Sequence, residues 1–115
     1  MRFENVSIAA VAHVDAPHRI TSAAIADKLA PTLSRLGIRA ELLEKLSGIV
    51  ARRYWDEGVQ PSEVATQAAR EAIARSGVDP ADIGVIISTS VCKDFIEPSV
   101  ACMVHGNLGL SPDCL

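Results

Sequence analysis

The chain has 115 residues, 49% hydrophobic and 22% charged, which suits one small folded domain with a modest core and excludes a disordered chain. A net charge of −3 offers no basic face to a phosphate backbone, and 3% aromatic residues leave no stacking platform, so nucleic acid is excluded as a partner. Cys92, Cys102 and Cys114 are odd in number and lack C-x-x-C spacing, which argues against a disulfide framework or zinc knuckle and suits a reducing cytoplasm. No apolar run approaches the roughly 18 residues a membrane span requires. Met1-Arg2-Phe3-Glu4-Asn5 leads into a short run broken by His13 and Asp15, unlike the h-region and cleavage site of a signal peptide. The expected location is the cytoplasm.

In chain order, Val6 to Val14 (VSIAAVAHV) is small, β-branched and nearly continuous, the pattern of a strand buried on both faces. Asp15-Ala16-Pro17-His18 breaks it, because Pro17 cannot donate to a ladder. Thr21-Ser22 supplies an N-cap hydroxyl for a helix whose apolar stripe is Ile25, Leu29, Leu33 and Leu36. Pro31 removes one backbone bond inside that helix and is expected to kink or split it, and Gly37 to end it. Glu41 to Leu46 reads as a short helix stopped near Gly48. Ile49 to Trp55 reads as extended, with Arg52 and Arg53 on opposite sides.

Pro61 is placed for the first turn of a helix running to Ser76 and ended by Gly77. Its stripe of Val64, Ala65, Ala68, Ala69, Ala72 and Ile73 is small enough to let a neighbour lie very close. Asp79-Pro80-Ala81-Asp82 is turn chemistry. Ile83 to Val91 (IGVIISTSV) is the strongest strand pattern, central in a sheet, and Pro98 to Leu110 reads as a buried helix, apolar nearly all round, with Ser99 as its cap. Buried strands and a buried helix need covering layers, and 115 residues supply few, so the sequence reads as the opening of something larger or half of a complex. It carries no internal repeat, low-complexity segment or evident linker.

Between the last two elements lies Lys93-Asp94-Phe95-Ile96-Glu97-Pro98-Ser99. A carboxylate held in a loop between two buried elements is a candidate for chemistry, since its surroundings can tune it. A solvated loop acid without a role is the bland alternative. His13, Asp15 and His18 match no defensible ligand spacing, so no metal is expected. His105 reads as a hydrogen-bonded buried histidine, and Cys92 and Cys102 as small hydrophobes. Arg52 and Arg53 read as pairing with acids or capping carbonyls, with phosphate contact as the alternative.

Taken together, Gly48-Ile49-Val50-Ala51-Arg52-Arg53, the alanine-rich helix, Asp79-Pro80-Ala81-Asp82-Ile83 with Ile86-Ile87-Ser88-Thr89-Ser90, and Pro98-Ser99-Val100-Ala101 with Leu108-Gly109 follow a known order. The chain resembles the N-terminal part of thiolase-superfamily condensing enzymes of the ketoacyl synthase III type. Ala12-His13-Val14-Asp15-Ala16-Pro17-His18 and Glu97-Pro98-Ser99 make it most similar to the OleA branch, which joins two fatty acyl-CoA molecules head to head in long-chain olefin synthesis. The resemblance runs over essentially the whole chain. It implies an α/β fold of thiolase-like αβαβα layers, with 1–115 forming the opening part of the N-terminal half.

The resemblance also implies a role for Glu97. In OleA-type enzymes the glutamate before Pro-Ser lies on a loop that crosses the dimer interface into the partner's active site. One acyl group is carried as a thioester on a cysteine, and the α-carbon of the second acyl-CoA must lose a proton. Ketoacyl synthase III makes its carbanion by decarboxylating a malonyl group; a non-decarboxylative Claisen condensation needs a base, and a carboxylate in an apolar pocket serves. The implied substrates are CoA thioesters, with no bound cofactor, in a homodimer or a heterodimer with a Cys-bearing chain. Two alternatives remain: a non-nucleophilic accessory subunit for β-lactone-type products, and a 3-oxoacyl-ACP synthase III. The resemblance places the family's catalytic Cys in an A-C motif shortly after residue 115, with its His and Asn far beyond; Cys114 is not in that motif, and Cys92 and Cys102 flank the loop without matching the nucleophile. Leu42 and Leu46 stand where ketoacyl synthase III places a Trp and an Arg on CoA, so CoA contacts are left unassigned.

Overall fold

The structure is a computed structural model that describes residues 4–115, so Met1 to Phe3, the start of the segment compared above with a signal peptide, lie outside the described residues. The chain divides into two compact units, Asp15–Glu57 and the described residues up to Val14 with Gly58–Leu115.

In the first unit, β1 (His18–Thr21) runs directly into α1 (Ser22–Arg35), and α2 (Leu42–Ser47) precedes β2 (Ala51–Tyr54). The strands pair antiparallel with His18 opposite Tyr54 and Thr21 opposite Ala51. The expected extended segment at 49–55 thus contains β2, while β1 was not legible because Pro17 and His18 read as a break. Arg19 faces Arg53 across the ladder, a like-charge pairing that costs stability unless relieved. The Arg53 guanidinium is occupied: it donates to the Ala16 carbonyl at 2.9 Å and lies 3.8 Å from the Asp15 carboxylate.

Thr21 caps α1 as expected, its hydroxyl accepting from the Ala24 N–H at 3.1 Å. The helix runs unbroken through Pro31, contrary to the expectation of a split. Proline removes only one backbone bond, to the carbonyl of Asp27, and both residues are exposed. The buried face is also not the expected stripe. Ser22, Ala26 and Leu33 are buried, whereas Leu29 and Leu36 are exposed. The reason lies at Ser22, whose N–H donates to the Val50 carbonyl at 2.9 Å and whose hydroxyl donates to Ile49, turning that side of α1 inward. Gly37 (φ 65°) and Gly48 (φ 66°) follow α1 and α2 in the left-handed conformation, as helix stops require.

In the second unit, α3 (Pro61–Ser76) has the expected bounds. Pro61 opens it, the Glu63 carboxylate accepts from the Gln60 N–H at 3.2 Å, and Gly77 ends it. α4 (Val100–Leu108) is shorter than expected at both ends: Ser99 is its cap, accepting from the Cys102 N–H at 3.3 Å, and Gly109 closes it. α3 packs on α4. Its most deeply buried residues are Ser62 (2% exposed) and Thr66 (3%), beside the half-buried alanine stripe. They are hydrogen-bonded: Thr66 Oγ1 donates to the Ser62 carbonyl at 2.7 Å, and Asn107 Nδ2 of α4 donates to Thr66 Oγ1 at 3.2 Å.

Two expectations fail here. Neither Val6–Val14 nor Ile83–Val91 forms a buried strand; Ile8 is 84% exposed, Ile87 80% and Val91 95%. A strand is defined by a neighbour's ladder, and β1–β2 is the only pairing among the described residues. The second segment is nonetheless tied on both sides of Val85: Ile86 donates to the Leu115 carbonyl at 2.7 Å, and the Leu115 N–H donates to Gly84 at 3.0 Å. Similarly, α4 is not buried all round. Val100 and Val104 are buried, but an apolar groove of about 540 Å³ stays open between α3, α4 and 83–90.

Candidate active-site loop

The loop 93–99 is tied down at both ends. At its start, the Asp94 carboxylate accepts from the Ser62 N–H at 3.0 Å, at the N-terminus of α3. That end of a helix carries unpaired donors and a partial positive charge, so it holds an anion well. At its close, Ser99 caps α4, and α4 is fastened back to α3 by Asn107, whose carbonyl also accepts from Arg70 at 2.7 Å. Loop and both helices thus form one hydrogen-bonded circuit. Asp94 was not singled out by the sequence, and no local signal marks it: its partner lies 32 residues away.

Glu97 sits between these anchors, followed by a cis Glu97–Pro98 bond. It is exposed, and with Ser88, Ser90, Lys93, Ile96 and Ser99 it lines a concavity of about 250 Å³. Phe95 and Ile96 are also exposed, so the loop presents an apolar edge beside the carboxylate. Such a group is free to meet a molecule brought to it, and its backbone is already held.

The remaining candidates fall elsewhere. His18 Nε2 lies 2.6 Å from Asp56, and Asp15 faces Arg53; among the described residues no group of three His, Cys, Asp or Glu side chains is placed to hold a metal. Arg53 meets both a carbonyl and an acid, as expected, while Arg52 donates to the Ser22 hydroxyl at 3.1 Å. His105 is half-buried with Nε2 3.0 Å from the Ser111 carbonyl. The reading of Cys92 and Cys102 as small hydrophobes is corrected: both are exposed, one on the loop's approach and one on the first turn of α4, and Cys114 is the buried one. Leu46, at the position compared with a CoA-contacting Arg, is exposed, and Leu42 is half-buried.

No family model matches the chain. An acyl-CoA:acyl-CoA alkyltransferase of Xanthomonas campestris is 51% identical over 115 residues, all of this chain and 34% of the relative. A protein of the same description from Shewanella oneidensis is 38% identical over 98% of the chain and 32% of its own length. Among solved structures, acetamide-bound OleA of Xanthomonas campestris superposes with a TM-score of 0.86 at 51% identity, covering 100% of this chain and 35% of that one. A 3-oxoacyl-(acyl carrier protein) synthase III of Xanthomonas oryzae gives 0.86 at 51% identity, covering 100% and 34%. Over its whole length the chain is therefore similar to part of the condensing enzymes of the OleA and ketoacyl synthase III type. It spans about a third of the length of these relatives. The thiolase-like α/β fold expected from the motifs is therefore the right one, and the described residues form a part of it. The open groove and the exposed apolar runs are what a partial α/β layer leaves uncovered. No helix among the described residues is long and apolar enough to cross a membrane.

Proposed function

We propose that the chain belongs to an enzyme that joins two fatty acyl-CoA molecules head to head without decarboxylation, and that Glu97 is its base. A cysteine thiolate elsewhere in the enzyme attacks the first acyl-CoA and releases CoA, leaving a thioester. Glu97 takes a proton from the α-carbon of the second acyl-CoA. The carbanion attacks the thioester carbonyl, the tetrahedral intermediate expels the cysteine thiolate, and a 2-alkyl-3-oxoacyl-CoA is formed. The enzyme works in the cytoplasm as a homodimer, each Glu97 serving the partner's site, as a step toward long-chain olefins.

The observation that carries this reading is the pairing of an exposed Glu97 with a loop held at both ends, in a chain 51% identical to an acyl-CoA:acyl-CoA alkyltransferase. A base donated to another subunit must project from its own surface yet keep its position, and this loop meets both conditions. Three free cysteines agree with a reducing compartment.

In the complete enzyme, Glu97→Gln is expected to leave acyl loading of the cysteine intact and to lower condensation by about 10²–10⁴-fold, the usual contribution of a general base. Unchanged condensation overturns the assignment. The second reading, a 3-oxoacyl-ACP synthase, has in its favour 38% identity over 95 residues to such an enzyme of Bordetella petrii. Because decarboxylation supplies its carbanion, malonyl-dependent condensation that persists in Glu97→Gln favours it. Co-purification of a different, Cys-bearing chain favours the accessory-subunit role.

A further inference from the structure

We infer that Asp94 is a positioning residue for Glu97: by gripping the first turn of α3, its carboxylate sets where the base three residues later stands. The inference rests on the assignment of Glu97 as base and adds a residue to it. One Asp94 oxygen accepts the Ser62 N–H at 3.0 Å, and the other is buried with no hydrogen-bond partner among the described residues. A buried carboxylate oxygen without a donor costs stability, and a loop seeking only stability would turn this side chain to water. Its neighbours do face water: Lys93, Phe95, Ile96 and Glu97 are all exposed, and Asp94 alone in that run is drawn inward.

The grip also has a rigid base. Ser62 is itself 2% exposed, its carbonyl is held by Thr66, and Thr66 is held by Asn107 of α4. α4 begins immediately beyond the loop, at Val100. Asp94 therefore closes a ring running from loop to α3, from α3 to α4, and from α4 back to the loop. Without it, the loop is fixed only at its Ser99 end, and Glu97 inherits the freedom of the opened backbone. A base displaced by about 1 Å can lose about 10²-fold in rate.

The test uses Asp94→Ala and Asp94→Asn in the complete enzyme. The asparagine side-chain oxygen accepts the same Ser62 N–H, so this variant keeps the geometry without the charge. Hydrogen exchange over 61–64 and 93–99 is expected to quicken by about tenfold or more in Asp94→Ala, the loss of one charge-assisted bond. Asp94→Asn is expected to stay within about threefold of wild type. Condensation is expected to fall by about tenfold or more in Asp94→Ala, to recover in Asp94→Asn, and to fall no further when Asp94→Ala is added to Glu97→Gln, while acyl loading holds throughout. Unchanged exchange in Asp94→Ala overturns the inference. So does a loss of loading equal to the loss of condensation, or full multiplication of the two variants' effects. Failure of the Glu97 reading is distinguishable: Glu97→Gln alone then condenses normally, which removes the positioning role whatever the exchange result, and exchange reports on the anchor by itself.

Discussion

Two stretches of the second unit are equally apolar in sequence and opposite in outcome. α4 and the residues after it find partners within the chain: Val100, Val104 and Leu110 are buried, the cap is made, and Asn107 closes a polar circuit with α3. Ile83–Val91 has the stronger β-branched pattern, yet past the turn that ties Ile83 to Pro80 its backbone meets, among the described residues, Leu115 alone, and it leaves Ile87 and Val91 to solvent. A helix satisfies its own backbone and needs a neighbour on one face only, which α3 provides. A buried central strand, the kind this pattern describes, needs neighbours at both edges and cover on both faces, and the described residues do not supply them. An apolar pattern therefore predicts burial only where the partner is also at hand.

Breaking the buried side should have the largest effect on stability. Leu110→Ala removes a side chain that is nearly fully covered, and urea denaturation is expected to show a loss of about 2–5 kcal/mol. A loss below about 1 kcal/mol would place Leu110 with the open stretch instead. Next comes the cap that joins loop to helix: Ser99→Ala is expected to cost about 1 kcal/mol and to quicken exchange in the first turn of α4. If both stay as in wild type, the Ser99 hydroxyl is not holding the loop's far end. The smallest effect belongs to the open side. Ile87→Ser in this chain is expected within about 0.5 kcal/mol of wild type by the same measurement, and a large loss would mean that the run is covered after all.

The candidate site shows the same division. Glu97 was singled out because Glu97-Pro98-Ser99 lies in a recognisable motif between two apolar runs, and the structure leaves it exposed on an anchored loop. Asp94 stands three residues away in the same heptapeptide and was passed over, because its meaning lies in the Ser62 N–H. Cys92 and Cys102 show the converse error: composition favours burial for a free cysteine, but position on a loop approach and on the open side of a helix put both at the surface.

What the sequence determined by itself is most of the signals that cap and stop the helices. Thr21, Pro61, Ser99, Gly37, Gly48 and Gly77 act on backbone groups within a few residues of themselves, through a hydroxyl, a missing N–H or a left-handed φ, so their effect travels with the local chain. Only the tertiary structure decided which apolar runs are covered, which face of α1 turns inward, and which loop acid is held by a helix. Each of those depends on a partner tens of residues away, such as Val50 for Ser22 or Ser62 for Asp94, and no spacing within the run itself encodes that meeting.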